Sequence, residues 1–386
     1  MNEKLIEQIE NSFLKDILLN NNVTDISYNG KDIYYKDNLK GRIKSDISIT
    51  NDDAYSLIRQ IANETEKLFS KTEPILDVTV GKYRINATHS GICRKNREEV
   101  LNFSIRIGYD SLRIKNDGTF IDKNALSILD MAIKNQQSIA ISGKTGTGKT
   151  EFQKFLLSRF EENTRVIIID TINELETDHF TKNLDSQTWI IPNQKDTISA
   201  DELIKNALRS NPDWIIVGES RGKEMLSILN SAMSGHPTIT TLHSLDGPST
   251  YNRMARMCMI SNESLDFEDV LVDIHDHFKF VVHIKSYFDE KKKKYVRYVD
   301  SLGTNDYGKY YEIYKYPKIY NPLPANLRHC FGMEEAEFKK FSNTFCGVKR
   351  WNGDISYILQ YHYYYPHWIC TCQKVGCIVE YSLEYY

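Results

Sequence analysis

The residues best suited to chemistry lie in one run, 138–150, which reads Ser-Ile-Ala-Ile-Ser-Gly-Lys-Thr-Gly-Thr-Gly-Lys-Thr. Its end fits the phosphate-loop pattern G-x-x-x-x-G-K-[ST] at Gly143, Gly148, Lys149 and Thr150. The glycines let the backbone wrap closely around a di- or triphosphate, with successive N–H groups and a helix N-terminus aimed at the anion. Lys149 adds a point charge at the β- and γ-phosphates. Thr150 offers its hydroxyl to Mg2+, an ion that keeps several waters and takes few protein ligands. Gly143, Lys144, Thr145, Gly146, Thr147, Gly148, Lys149 and Thr150 are therefore the expected nucleotide-binding residues, with a nucleoside di- or triphosphate and Mg2+ as the expected ligands.

Such a site needs a carboxylate. Residues 211–219 read Asn-Pro-Asp-Trp-Ile-Ile-Val-Gly-Glu, an apolar strand that delivers Glu219 just past its C-terminal end, where ligands sit in open α/β sheets. An acid there holds the metal through water or orients the attacking water, so Glu219 is expected in a catalytic role and, with Thr150, near the metal.

The elements that must position these groups show in the periodicity. An apolar run at 139–141 reads as a buried strand, and 151–160 carries Phe152, Phe155, Leu156, Leu157 and Phe160 at helical spacing. A helix over 123–134 leads into that strand. Apolar runs at 166–169, 189–191, 214–217 and 238–242 alternate with helical patterns at 200–209 and 223–234, which predicts a parallel sheet with helices packed on it. Upstream, 3–19 carries a one-faced helical stripe. Residues 24–28 and 32–35 flank an Asn-Gly turn as a hairpin, 43–49 extends the sheet, 53–61 is helical, and further strands are expected at 76–80, 83–89 and 100–107. The expected division is a small α+β domain at 1–108, a polar linker at 109–122 and an α/β nucleotide-binding domain at 123–300. Residues 301–386 form an aromatic- and cysteine-rich tail to which no fold is assigned, and the four lysines at 291–294 read as a hairpin turn.

Composition narrows the classes. With 49 Lys+Arg against 52 Asp+Glu there is no global basic field, so no stable nucleic-acid complex is expected. Residues 1–11 lack a secretory leader pattern and no run of 18 apolar residues occurs, so a cytoplasmic chain without a transmembrane segment is expected. Seven cysteines, an odd number, do not read as a disulfide framework, and the spacing of His367, Cys370, Cys372 and Cys377 is not a common zinc pattern.

The phosphate loop, Val-Gly-Glu-Ser-Arg-Gly at 217–222, Ser-Gly-His-Pro at 234–237 and Thr-Thr-Leu-His at 240–243 together resemble the ATPases of type II and type IV secretion systems and related pili. The resemblance implies a RecA-like P-loop NTPase domain preceded by a small α+β N-terminal domain. The family's acidic box, I-E-D-x-x-E-L, is matched by 169–175, with Asp170 in place of Glu and Thr171 in place of Asp. By resemblance, Glu174 activates or orients the attacking water, Asp170 supplies the first acid of the box, Glu219 supports metal and water, and His243 senses the γ-phosphate. Arg221 joins the nucleotide-binding set, as do Arg84 and Arg106, because 24–30, 83–87 and 104–106 resemble the family's first domain. The paired C-x-x-C zinc motif of the type II branch is missing, since 123–300 contains only Cys258, and this points to the type IV secretion or tight-adherence pilus branch. A homo-hexamer at the inner face of the cytoplasmic membrane, in contact with components of a secretion or pilus machine, is implied. The expected function is a Mg2+-dependent ATPase powering protein or DNA secretion or pilus assembly. The alternatives are a helicase-like nucleic-acid motor and a catalytically weak nucleotide-binding scaffold, which the altered acidic box allows.

Overall fold

The computed structural model describes residues 2–109, 111–170, 175, 181, 183–191, 198–261 and 264–344, and the backbone of three further strands within 358–383. Helices α1 (Asn2–Glu10) and α2 (Lys15–Leu18) open the chain. The single helical stripe expected over 3–19 is thus broken, because the Ser12 hydroxyl donates to Ile9 O (2.7 Å) and accepts from Leu14 N (3.2 Å), replacing the helix ladder locally. Then come β1 (Val23–Tyr28), β2 (Ile33–Asp37), β3 (Gly41–Lys44), α3 (Asn51–Glu64), β4 (Ile75–Val80), β5 (Tyr83–Thr88), the short pair β6 (Arg94–Lys95) and β7 (Glu98–Glu99), and β8 (Asn102–Ile107). Six of these strands form an antiparallel sheet in the order β3-β2-β1-β8-β5-β4. Alternation puts Ile26, Val78, Ile85, Phe103 and Ile105 on one face, against Ile58 and Ile61 of α3. A reciprocal Thr50–Asp53 capping box starts α3. On the sheet's other face Arg84, Arg106, Asp25 and Lys36 stand directly opposite one another on successive strands.

The second unit starts with α4 (Lys123–Lys134), β9 (Ile139–Gly143), α5 (Lys149–Leu157), β10 (Arg165–Asp170), β11 (Asp185–Ile190) and α6 (Ala200–Ala207). It continues with β12 (Trp214–Val217), α7 (Glu224–Met233), β13 (Thr238–Leu242), α8 (Pro248–Ser261), α9 (Phe267–His277), β14 (Phe280–Asp289), β15 (Lys294–Asp306), β16 (Lys309–Lys315) and β17 (Ile319–Tyr320). The sheet order is β11-β10-β12-β13-β9-β14-β15-β16-β17. Strands β9, β12 and β13 are buried throughout, as expected of parallel strands covered on both faces. Ile139, Ile141, Val166 and Ile168 face α4 and α5, while Ala140, Ile167, Ile169 and Val217 face α6 to α9.

Two expectations are corrected by this architecture. The sheet is mixed, not parallel: β11 to β14 run parallel, but β14, β15, β16 and β17 are antiparallel neighbours. The reversal is local, since Asp289 Oδ1 accepts from the N–H of Lys291 and of Lys292 at 3.0 Å each, and a turn that short can only join antiparallel strands. Nor does the second unit end at residue 300, which lies inside β15. Leu323, Leu327, Phe331 and Phe338, carried by and around α10 (Leu327–Cys330) and α11 (Glu335–Asn343), are buried in the same core as α4 and α5. Phe331 stacks on Phe280 with ring centroids 5.9 Å apart. Strands β18 (Ile358–Tyr364), β19 (His367–Lys374) and β20 (Cys377–Leu383) pair antiparallel; their side chains, including those weighed for zinc, lie outside the described residues. Among the described residues no helix is long and apolar enough to cross a membrane.

Candidate nucleotide-binding site

Strands β12, β13 and β9 lie side by side and parallel, so the loops that leave their C-terminal ends emerge at one edge of the sheet. That register gathers Glu219, His243 and the phosphate loop, and β10 adds Asp170 at its own end. The loop leaves β9 tightly. A Cβ on Gly143 would stand 2.6 Å from Ile284 O, and Gly146 and Gly148 have φ of 77° and 98°, where a side chain is strained. Gly148 stands at the N-cap of α5 without a side-chain cap, leaving the first N–H groups of the helix available to an anion.

Lys149, the first residue of α5, is buried. Its ammonium donates to Gly143 O (3.2 Å) and Lys144 O (3.3 Å) and stands 3.3 Å from His243 Nδ1. Burial pulls its pKa down to about 8; the nearby Glu219 carboxylate opposes this and Arg221 adds to it. Glu219 carries the opposite balance. Burial raises its pKa, but the hydrogen bond and charge of Arg221, with His243 and Lys149, outweigh burial and hold it below the ordinary carboxylate value. Arg221 Nη2 donates to Glu219 Oε2 at 2.7 Å. His243 Nε2 lies 2.8 Å from Oε1, close but not as an aligned hydrogen bond. Lys149, His243 and Glu219 thus form one continuous polar chain.

The other expected residues divide between the cleft and its surroundings. Thr150 is half-buried on the cleft wall, Lys144, Thr145 and Gly146 form the exposed apex of the loop, and Thr147 is buried with its hydroxyl donating to Lys144 O at 2.8 Å. Asp170 is buried; its Oδ2 accepts from Leu175 N (3.2 Å) and its Oδ1 would be 2.7 Å from a Cβ on Gly218, so a glycine before Glu219 is what lets the two strand ends meet. Glu174 lies outside the described residues. Arg106 lines the cleft and donates from Nε to Asp25 Oδ1 at 3.3 Å. Arg84 does not line it: Asp77, on the neighbouring strand, holds the guanidinium through two hydrogen bonds of 3.3 and 3.1 Å. The structure therefore places Arg106 on the cleft and leaves Arg84 on the sheet.

Sequence reasoning missed two contributors. Gln153 of α5, fully buried, donates to Val217 O (3.0 Å) and Ile239 O (3.1 Å), pinning the helix to β12 and β13. A glutamine beside Phe152 and Phe155 on an inward helix face is a signal that could have found it. Arg297 of β15 donates from Nε to Gly146 O (2.9 Å) and from Nη1 to Asn38 O (2.8 Å), and nothing in its local sequence announces this. The cleft between the two units measures about 1090 Å³, and its described lining holds nine Lys and Arg against four carboxylates, an excess suited to a polyanion.

Residues 105–283 match the family model described as Type II/IV secretion system protein. The chain is similar to an uncharacterised Bacillus anthracis protein, at 33% identity over 68% of this chain and 59% of that protein. It is also similar to the Type IV secretion system protein VirB11 of Bartonella quintana, at 32% identity over 39% of this chain and 42% of that protein. The chain thus spans between two fifths and three fifths of these relatives. The fold is similar to that of the Yersinia pseudotuberculosis ATPase DotB, with a TM-score of 0.58 and 16% identity over 86% of this chain and 84% of that one. The α/β fold with its mixed sheet is thus that of known ATPases. The matched segment runs from β8 through the phosphate loop, Glu219 and His243 to His283, so these residues lie in the part of the chain that is similar to type II/IV secretion system proteins.

Proposed function

We propose that the chain is a Mg2+-dependent ATPase that powers protein or DNA secretion or pilus assembly at a membrane-embedded machine. On this reading residues 123–344 are a RecA-like P-loop domain, residues 1–108 an α+β domain that covers the nucleotide, and the working form is a homo-hexamer at the cytoplasmic face of the membrane. The observation that carries it is the polar chain of Lys149, His243 and Glu219, with no contact longer than 3.3 Å, at the ends of three adjacent parallel strands and beside an uncapped helix N-terminus. The helix and the loop bind the phosphates, and Lys149 exchanges its two carbonyl acceptors for β- and γ-phosphate oxygens. The donors suit a hard cation, since both are oxygens on the cleft wall: the Thr150 hydroxyl and the Glu219 carboxylate, whose buried Oε1 accepts no aligned hydrogen bond. Mg2+, when bound, neutralises charge on the phosphate oxygens. Glu219, kept ionised by Arg221, orients water, and Glu174 is assigned to the attacking one. His243, between Lys149 and Glu219, feels the loss of the terminal phosphate through both. Arg106 approaches from the first sheet. The relatives named for secretion and conjugal transfer favour this reading over the nucleic-acid motor.

The test is ATP turnover of the purified chain with and without Mg2+, beside Lys149→Ala. Turnover that requires Mg2+ and disappears in a variant of unchanged circular dichroism is expected. A folded Lys149→Ala that turns over ATP normally refutes the assignment.

A further inference from the structure

We propose that Arg297 is a positioning residue that sets the shape of the phosphate loop and ties it to the first sheet. The proposal rests on the loop being the phosphate site. Its apex, Lys144 to Gly146, is exposed and contains a glycine at φ 77°; Thr147 and Lys149 hold the carbonyl of Lys144 from within the loop, whereas the carbonyl of Gly146 is held from another strand. Arg297 holds it from outside, donating to Gly146 O at 2.9 Å. The same guanidinium donates to Asn38 O at 2.8 Å in the turn between β2 and β3. One planar, preorganised group therefore fixes two carbonyls from two different sheets, which a lysine, with its single donor atom, does not reproduce. Its own strand is anchored at both ends. Tyr295 N donates to Leu39 O at 2.6 Å and the Tyr295 ring lies against Gly41, while Val299 and Leu302 are buried in the core beneath the loop. Lys36 reaches the same apex, since a Cβ on Gly146 would meet its ammonium at 3.0 Å. Among the described residues no carboxylate pairs with Arg297, so its charge is left to act on the cleft. Any shift of the β2–β3 turn relative to β15 must pull on the loop carbonyl or break this link. Arg297, which also lines the cleft, thus acts on nucleotide through the loop that it holds.

The experiment uses the full chain with Arg297→Ala, Arg297→Gln and Arg297→Lys. Hydrogen exchange without nucleotide reads the link directly and does not depend on the nucleotide reading. Amides at 144–148 and 38–41 are expected to exchange faster in Arg297→Ala and Arg297→Gln, with 139–142 and 299–304 unchanged. ATP and ADP are both expected to bind about 10–100-fold more weakly, the weight of one charge-assisted hydrogen bond. KM is expected to rise with kcat nearly constant, because the loop holds ground state and transition state alike. Millimolar guanidinium is expected to restore part of the affinity of Arg297→Ala, which a merely misfolded variant would not show, and Arg297→Lys is expected to recover less than half of the loop protection. Wild-type exchange at 144–148 in both neutral variants overturns the proposal. So does a loss confined to kcat. If wild-type chain binds neither nucleotide, the phosphate-site reading fails instead, and the exchange result still decides the link.

Discussion

Replacing Lys149 by Met should stabilise the free protein while abolishing its activity. The lysine is buried, and its pKa falls from the ordinary 10.5 to about 8, chiefly through burial. At 1.36 kcal/mol per pH unit, keeping the ammonium charged at neutral pH costs about 3 kcal/mol relative to the unfolded chain. Methionine has a similar length and no charge. It also removes the donor to Gly143 O and Lys144 O, a loss of about 1 kcal/mol for a loop carbonyl that water can reach, so the net gain expected at pH 7 is about 1–2 kcal/mol. Linkage gives the sign with pH. Between pH 8 and pH 10.5 the unfolded lysine keeps a proton that the folded one releases, so the wild type gains stability as pH rises across that window while Lys149→Met does not. The advantage of the variant is fully present below pH 8 and fades toward pH 10.5. Urea unfolding of both proteins at pH 7 and at pH 10, with ATP turnover at pH 7, measures all of this. A variant less stable than wild type at pH 7, or a difference indifferent to pH across the window, refutes the claim that burial of charge at Lys149 is the dominant strain at this site.

Glu219→Gln should retain ATP binding and slow turnover by roughly 10²–10⁴-fold, and Glu174→Gln should do likewise; single-turnover kinetics beside a fluorescent-nucleotide titration separate the two effects. Arg106→Ala, at a residue that lines the cleft, should weaken ATP more than ADP in calorimetric titration, whereas Arg84→Ala, whose guanidinium is held by Asp77, should change neither affinity. Equal losses for the two arginine variants would reverse the placement argued from the ion pairs. Phe331→Ala should destabilise the second unit by about 3–5 kcal/mol in urea unfolding, because the ring is buried and stacked on Phe280; an effect under 1 kcal/mol would mean that residues beyond 300 do not belong to that core.

The sequence by itself determined the parts of the site that depend on short-range geometry. Gly143, Gly146 and Gly148 are needed wherever a loop turns through positive φ beside a strand, and Lys149 and Thr150 come directly after them within one helical turn, so the spacing already implies the phosphate cradle. Strands at 166–169 and 214–217 were legible because burial on both faces demands unbroken apolar runs, and 238–242 because its β-branched threonines and isoleucine favour a strand. Tertiary structure decided the rest. The polar residues of β5 and β8 alternate in the same way, yet Arg106 reaches the cleft and Arg84 meets Asp77, a choice made by which strand lies next to which. The antiparallel extension from β14 to β17, and the burial of Phe331 and Phe338, depend on pairing with β9 and packing on α4 across long stretches of chain. Arg297 is the extreme case: its partners Gly146 and Asn38 are 151 and 259 residues away, and a hydrogen bond over such a separation leaves no periodic trace, because only the packing of two sheets brings donor and acceptor together.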